Sequence, residues 1–326
     1  MKNNPGRDFE AGPHGATIFV TSIMSSATKI YVPRRESTSQ SINVRGLRYH
    51  VRQWAADGST SQPMLVMLHG FMDVAASFQF VIDALPADRT ILALDWRGFG
   101  LTESPQVDSY WFPDYLGDLD GLLDHFSPSV PVDLLGHSMG GNIAMVYAGV
   151  RAERIRKLIN LEGFGLPDPS PGEAPGRYRK WLDQLKSPQR LRSYATLDAV
   201  AERLQQNNPR LPADKARWLA SHWSRQEADG QWHILCDPAH KRINPILYRE
   251  AEALACRAEI RAPTLWVEGA QSTLLDLYGG RYSREEWDRR LAALPNIECV
   301  VLDDCGHMLH HDQPLALAAR IANFLR

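Results

Sequence analysis

The chain has few cysteines, no long apolar run and no excess of charge of either sign. Its four cysteines in 326 residues form no C-x-x-C pair, which argues against a disulfide scaffold and favours reduced thiols in a cytoplasmic protein. No apolar run approaches the roughly 18 residues of a membrane-spanning helix. The net charge of −2, from 36 basic and 38 acidic residues, argues against nucleic-acid binding.

Motifs for cofactors are also missing. The sequence has no G-x-G-x-x-G run, no P-loop, no H-E-x-x-H helix and no local cluster of His and Asp ligands, and these are the usual signs of nucleotide or metal binding. We therefore expect a protein that needs no metal and no other cofactor. The partner that we expect is a small molecule. The sequence makes no prediction of oligomeric state.

Short apolar runs alternate with helical patterns from residue 41 onwards. Runs at 64–68, 90–94 and 130–135 are nearly unbroken, which is typical of strands buried on both faces of a parallel sheet. A helical pattern at 115–126 has its apolar residues on one face. This alternation predicts an α/β fold, with a mostly parallel sheet flanked by helices.

Two segments depart from this alternation. Residues 1–40 are predicted to be an N-terminal extension, and they lack the basic start and long apolar stretch of a signal peptide. Residues 163–255 begin with a Pro- and Gly-rich loop and continue with helical stretches that carry Trp181, Trp218, Trp223 and Trp232. We predict a helical cap over a site, or alternatively a helical subdomain whose aromatic residues fill only its own core. The core is then 41–162 and 256–326.

The segment Gly136-His-Ser-Met-Gly140 carries the clearest chemical signal. It follows an apolar strand and precedes an apolar helix, which is the strand–turn–helix context of the G-x-S-x-G nucleophile elbow. The turn is so tight that side chains at Gly136 and Gly140 would collide with backbone. Ser138 is therefore predicted to be an exposed, strained nucleophile at the positive end of a helix.

Two further loops supply the expected partners of Ser138. The turn His69-Gly-Phe-Met-Asp73 follows the first buried strand, so the N–H groups of Phe71 and Met139 can form an oxyanion hole. His307 follows the last strand, beside Gly306, in the chain order Ser, acid, His. We therefore expect His307 to be the general base and give little weight to its neighbours His310 and His311.

These landmarks together resemble the α/β-hydrolases from about residue 41 to 326. The matching motifs, in chain order, are His69-Gly70, Asp95-Trp-Arg-Gly-Phe-Gly100, Gly136-His-Ser-Met-Gly-Gly141 and Gly306-His307. The resemblance is to members with a helical cap between the sixth and seventh strands, and it includes the serine hydrolase-like group. It implies an eight-stranded type of sheet and structural roles for Asp95 and Arg97.

The catalytic acid departs from the commonest family pattern. Many relatives carry an aspartate in a G-x-x-D turn, where this chain has Ser272 after Gly269. Glu162 follows a buried strand, and some relatives, including the serine hydrolase-like group, carry an acid there. We predict Glu162 as the acid, with Glu268 and Asp276 as alternatives.

The expected function is a serine hydrolase that cleaves an ester or related acyl bond of a small apolar substrate, like a carboxylesterase. Because the nucleophile is Ser and not Asp, dehalogenase and epoxide-hydrolase chemistry are disfavoured. Two alternatives stay open. The same residue types serve a carbon–carbon bond hydrolase of ring-cleavage products, and a binding protein can keep the pocket with little turnover.

Overall fold

The computed structural model describes residues 30–326, and its elements follow the predicted alternation. The strands are β1 Thr38–Val44, β2 Leu47–Trp54, β3 Leu65–Leu68, β4 Ile91–Leu94, β5 Val132–His137, β6 Ile155–Leu161, β7 Ser193–Tyr194, β8 Ser224–Gln226, β9 Trp232–Ile234, β10 Thr264–Gly269 and β11 Ile297–Leu302. The α-helices are α1 Gln79–Ile82, α2 Phe112–Phe126, α3 Met139–Val150, α4 Ala174–Leu185, α5 Leu197–Asn207, α6 Ala213–Trp223, α7 Glu250–Ala258, α8 Arg284–Ala292, α9 Leu309–Asp312 and α10 Pro314–Leu325.

Eight of the strands form one sheet in the order β1-β2-β4-β3-β5-β6-β10-β11. The hairpin of β1 and β2 is antiparallel, as is the pairing of β2 with β4, and the remaining pairs are parallel. The predicted mostly parallel eight-stranded sheet is confirmed. Since β3, β4, β5, β6, β10 and β11 run in one direction, the loops after them meet at one edge of the sheet.

Both faces of the central strands are buried, and alternate residues face different helices. In β3, Val66 and Leu68 pack in the cluster that contains α2 and α3 side chains. Leu65 and Met67 pack in the cluster formed with α1, α9 and α10. This period of two explains why the strands appear in the sequence as unbroken apolar runs.

The segment 163–255 is not wholly helical, in contrast to the prediction. Three short strands inside it form a separate antiparallel sheet in the order β7-β9-β8. Strands of two or three residues are too short to produce a readable alternation. Helix α7 also runs across residue 255, the predicted end of the segment. The backbone of Cys256 in α7 lies close to α3, because a Cβ added to Gly149 would be 1.7 Å from the carbonyl oxygen of Cys256. Helix α7 therefore packs with the core.

The expected N-terminal extension falls mostly on residues 1–29, which lie outside the described residues, as does the region where a signal peptide was considered. From residue 30 the chain packs against the core. The Asp83 carboxylate accepts hydrogen bonds from the Tyr31 hydroxyl and from the backbone N–H groups of Arg34 and Arg35. Strand β1 begins at Thr38, so the core starts before residue 41. No helix in 30–326 is long and apolar enough to cross a membrane.

Candidate active site

Ser138 lies at the sharp turn between β5 and α3, with φ 52° and ψ −114°. This conformation is strained for a residue with a side chain, and the neighbouring glycines make it possible. A Cβ on Gly136 would lie 2.3 Å from the carbonyl oxygen of Gly140, and one on Gly140 would lie 2.2 Å from that of Leu68. Crowding of this kind at both glycines is what the motif predicted.

Glu162 and His307 meet at the same edge of the sheet. Glu162 follows β6 and His307 follows β11, and His307 Nδ1 lies 2.6 Å from Glu162 Oε2. Glu162 is 1% exposed and its φ is +54°, a backbone conformation that is rare for a residue other than Gly, Asn or Asp. Such strain is kept where the surrounding contacts impose it, often at functional sites.

Hydrogen bonds hold the Glu162 carboxylate in place. Oε1 accepts the backbone N–H of Gly269 at 2.7 Å, and Oε2 accepts the Ser272 hydroxyl at 2.7 Å. The loop that carries His307 can approach because residue 269 has no side chain: a Cβ there would lie 2.4 Å from the carbonyl oxygen of Cys305. Ser272, which lies where many relatives carry an aspartate, thus hydrogen-bonds Glu162.

The alternative acids lie in other surroundings. The Glu268 carboxylate pairs with Arg284 at 2.9 Å. Asp276 is exposed in a short 3-10 helix. Of the three residues predicted as candidate acids, Glu162 is the one that hydrogen-bonds the His307 ring.

The turn after β3 packs directly against the nucleophile elbow. A Cβ on Gly70 would lie 3.2 Å from the Cβ of Ser138, and Phe71 is the next residue of the chain. The N–H of Phe71 has no acceptor within residues 30–326. Met139 is the first residue of α3, so its N–H has no partner inside the helix. Both N–H groups are therefore free to donate to an oxyanion.

His137 connects the elbow to the loop of His307. Its Nε2 lies 2.8 Å from the carbonyl oxygen of His307. Burial, together with the neighbouring imidazoles of His310 and His307, holds the pKa of His137 well below its usual range. The ring is therefore neutral and acts as a hydrogen-bond donor to the loop.

The segment 163–255 contacts this region at several points. The His240 ring stacks on Phe99 and lies 6.1 Å from the ring of Phe71, which is 51% exposed. Trp223 Nε1 donates to Asp73 at 3.3 Å. Trp218 packs on Tyr31, in the same hydrophobic cluster as Trp223.

Sequence reasoning missed two features of this site, the hydrogen bond made by Asn160 and a buried cluster around His310. Asn160 ties the turn after Glu162, because its Oδ1 accepts the Gly163 N–H at 2.6 Å. His310 lies beside Asp73 and His137 in a buried cluster, although no local cluster of His and Asp ligands was found in the sequence. Asp73, His137 and His310 come from separate stretches of chain, so no spacing rule could find the cluster.

A model of the alpha/beta hydrolase fold family matches residues 63–314, which is most of the chain. The chain belongs to the alpha/beta hydrolase fold family. This hydrolase is 25% identical over 280 residues to a serine hydrolase-like protein of Danio rerio, and the match covers 82% of each chain. It is 28% identical to a 3-hydroxybutyrate-oligomer hydrolase of Cupriavidus necator, over 86% of this chain and 94% of that one.

Solved structures agree with the fold of this hydrolase. The thioesterase domain from the curacin biosynthetic pathway superposes with a TM-score of 0.77 at 24% identity, covering 88% of this chain and 99% of that one. At this identity the likeness supports the fold alone. The predicted resemblance to the α/β-hydrolases, including the serine hydrolase-like group, is confirmed.

Proposed function

We propose that this hydrolase is a serine esterase that uses Ser138 as nucleophile, His307 as general base and Glu162 as acid. The observation that carries the proposal is the 2.6 Å contact between His307 Nδ1 and the buried Glu162 carboxylate, at the sheet edge that also carries the strained turn of Ser138. A carboxylate on Nδ1 orients the imidazole and stabilises the imidazolium that forms when Nε2 takes the serine proton.

In the proposed reaction, Ser138 Oγ attacks the carbonyl carbon while His307 removes its proton. The N–H groups of Phe71 and Met139 stabilise the oxyanion. His307 then gives the proton to the leaving alcohol, and an acyl-enzyme forms. Water, activated by the same histidine, breaks the acyl bond and restores Ser138. No step requires a cofactor.

The proposed substrate is a small ester with an apolar acyl group. Its support is the exposed Phe71 ring beside the oxyanion turn and the covering segment 163–255, which we propose acts as a cap. The hydrolase names of the two relatives agree with bond hydrolysis and leave the type of bond to experiment. A cytoplasmic location is also proposed, and its support is the four free cysteines.

The test compares Ser138→Ala with the unmodified protein. We expect a fluorophosphonate probe to label the unmodified protein and not the variant, and we expect kcat on p-nitrophenyl esters to fall by about 10⁴ to 10⁶. The matched control is Ser221→Ala, which changes an exposed serine of α6 and should keep both labelling and activity. A variant that keeps a tenth of the activity contradicts the proposal.

A substrate panel separates the remaining alternatives. Turnover of dienone ring-cleavage products without turnover of esters would identify a carbon–carbon bond hydrolase. An unlabelled protein that binds such compounds and turns over neither class would be a binding protein.

A further inference from the structure

A buried cluster of three polar side chains lies beside the proposed active site and takes no part in the proposed reaction. Asp73, His137 and His310 are 4%, 2% and 0% exposed. One ligand atom from each residue lies within 4.8 Å of the other two. A carboxylate and two imidazoles form a donor set that suits divalent transition metals.

The hydrogen bonding of His137 leaves one lone pair directed away from the loop of His307. Its Nε2 is 2.8 Å from the carbonyl oxygen of His307. A carbonyl only accepts, so Nε2 carries the proton and the neutral ring has a lone pair on Nδ1. Within residues 30–326, Nδ1 has no hydrogen-bond partner. Histidines that bind metals usually donate their other N–H in this way to a carbonyl or carboxylate.

Asp73 Oδ2 and His310 Nδ1 are buried and have no hydrogen-bond partner within residues 30–326. Asp73 Oδ1 accepts the N–H of Val74 at 2.9 Å and that of Trp223 Nε1 at 3.3 Å, but Oδ2 has no partner in the described part of the chain. Oδ2 lies 3.6 Å from His310 Nε2.

We propose that Asp73, His137 and His310 bind a divalent transition metal ion such as Zn²⁺, and that the bound ion inhibits hydrolysis. Zn²⁺ takes nitrogen and oxygen ligands at about 2.0–2.2 Å, so tetrahedral ligand atoms lie about 3.3 Å apart. The present separations, 3.6 Å for one pair and at most 4.8 Å for all, require the three side chains to draw together. Ser77 Oγ lies 3.2 Å from His310 Nε2, so this hydrogen bond must break for Nε2 to bind the ion.

Drawing these ligands together displaces the proposed catalytic residues. His137 immediately precedes Ser138 and hydrogen-bonds the backbone of His307, and His310 lies on α9 just after that loop. A shift of these anchors moves His307 relative to Ser138, and small misplacements of reacting groups are costly. The proposed inhibition rests on the proposed esterase function, whereas the proposed metal binding does not.

Metal binding is tested on the full-length protein after dialysis against EDTA. Zn²⁺ affinity is measured by competition with a chromophoric chelator, and Co²⁺ is used to record d–d absorption. Long incubation is needed because the ligands are buried. We expect one ion per chain, with a tetrahedral Co²⁺ spectrum. Asp73→Asn and His310→Gln should each weaken binding at least a hundredfold, since even outer-shell changes cost 10- to 100-fold.

Two control variants make the test specific. His307→Gln should keep metal binding, because His307 is outside the cluster. His240→Gln changes another buried histidine and should also keep it. Binding that is lost in His307→Gln and kept in Asp73→Asn would place the ion on the His307–Glu162 pair and overturn the proposal. If Asp73→Asn does not fold by circular dichroism, His310→Gln decides.

Activity measurements test the inhibitory half separately. We expect EDTA to leave esterase activity unchanged and stoichiometric Zn²⁺ to reduce it at least tenfold, with recovery on chelation and no inhibition of His310→Gln. Binding without inhibition overturns the inhibitory half. The absence of binding at millimolar Zn²⁺ overturns the site. Failure of the proposed esterase function is recognised independently, by unchanged activity of Ser138→Ala.

Discussion

Glu162 is the acid of the proposed triad. Its carboxylate contacts His307, whereas Glu268 is paired with Arg284 and Asp276 is exposed. In an esterase with this triad, removing the charge on the histidine's partner weakens both its orientation and the stabilisation of the imidazolium.

We predict that Glu162→Gln, which keeps the shape of the side chain, lowers kcat by about 10² to 10⁴. Glu268→Gln and Asp276→Asn are matched controls that remove a charge elsewhere, and each should cost less than about tenfold. The three variants are compared in one ester assay, with circular dichroism to check folding. A nearly inactive Glu268→Gln with an active Glu162→Gln would place the acid on β10.

Ser272 provides a second test at the residue scale, because its hydroxyl lies 2.7 Å from Glu162 Oε2. We predict that adding Ser272→Asp to Glu162→Gln raises kcat at least tenfold above that of Glu162→Gln alone, since the new carboxylate can reach the His307 ring. Ser272→Asp alone should lower activity at neutral pH, because two adjacent carboxylates raise the pKa of one of them.

The control for this exchange is Ser272→Asn in the same Glu162→Gln background, which adds an uncharged side chain of equal size. It should restore nothing. Equal recovery with Asn and Asp would show that packing, and not charge, limits the Glu162→Gln variant.

At the scale of elements, the elbow depends on the close approach of α3 to the end of β3. Gly140 makes this contact, and an added Cβ would lie 2.2 Å from the Leu68 carbonyl oxygen. Because that oxygen belongs to the backbone of a buried strand, it has little freedom to move away. The sheet and helix α3 would have to separate.

We predict that Gly140→Ala lowers the free energy of unfolding by about 1–3 kcal/mol or more, the usual cost of overpacking. Gly176→Ala is the matched control, because no atom lies within 4 Å of the added Cβ and the residue is inside α4. Alanine there should be neutral or stabilising, by about 0.5–1 kcal/mol. Urea unfolding of both variants measures the difference. Equal stability would contradict the close approach.

The two tryptophans that contact different parts of the molecule also belong to this scale. Trp223 donates to Asp73 beside the site, whereas Trp218 packs with Tyr31 and Phe80. The sequence grouped them as residues of one cap. Because Tyr31 and Phe80 lie outside segment 163–255, Trp218 joins this segment to the rest of the chain. The role of the segment as a cap stays a prediction.

At the scale of the whole molecule, buried histidines link stability to pH. His240 is 9% exposed and stacks between Phe99 and Tyr110. Burial lowers its pKa from 6.5 to about 4, against the opposing effects of the Arg97 carbonyl and Asp237. His222 has its pKa lowered to about 4 by burial and by Arg52. Both rings stay neutral in the fold when the unfolded chain begins to take up protons.

We predict that the free energy of unfolding falls as the pH is lowered from 7.5 to 5.5. A histidine with a lowered pKa contributes stability above pH 6.5 that is lost on acidification, and His240 alone accounts for about 1.4 kcal/mol over this range. Urea unfolding at the two pH values gives the change. Over the same pH range, the free energy of unfolding of His240→Gln should fall by about 1.4 kcal/mol less than that of the unmodified protein. An identical fall in both proteins would contradict the lowered pKa of His240.

The sequence alone determined the features that depend on local contacts. Buried strands needed apolar side chains on both faces, so they appeared as apolar runs, and β4 Ile91–Leu94 lies within the predicted run 90–94. The elbow needed glycines at fixed spacing around Ser138, because the collisions that exclude other residues occur within one turn and its neighbouring strand. Both signals lie in short stretches of chain, where sequence patterns are readable.

Tertiary structure decided which distant groups meet. Glu162 is paired with His307 because β6 and β11 flank β10, and because Gly269 lets the last loop approach. The cluster of Asp73, His137 and His310 joins three separate segments, so no spacing in the sequence predicted it. Contacts of this kind follow from strand order and close packing, which the order of residues along the chain does not specify.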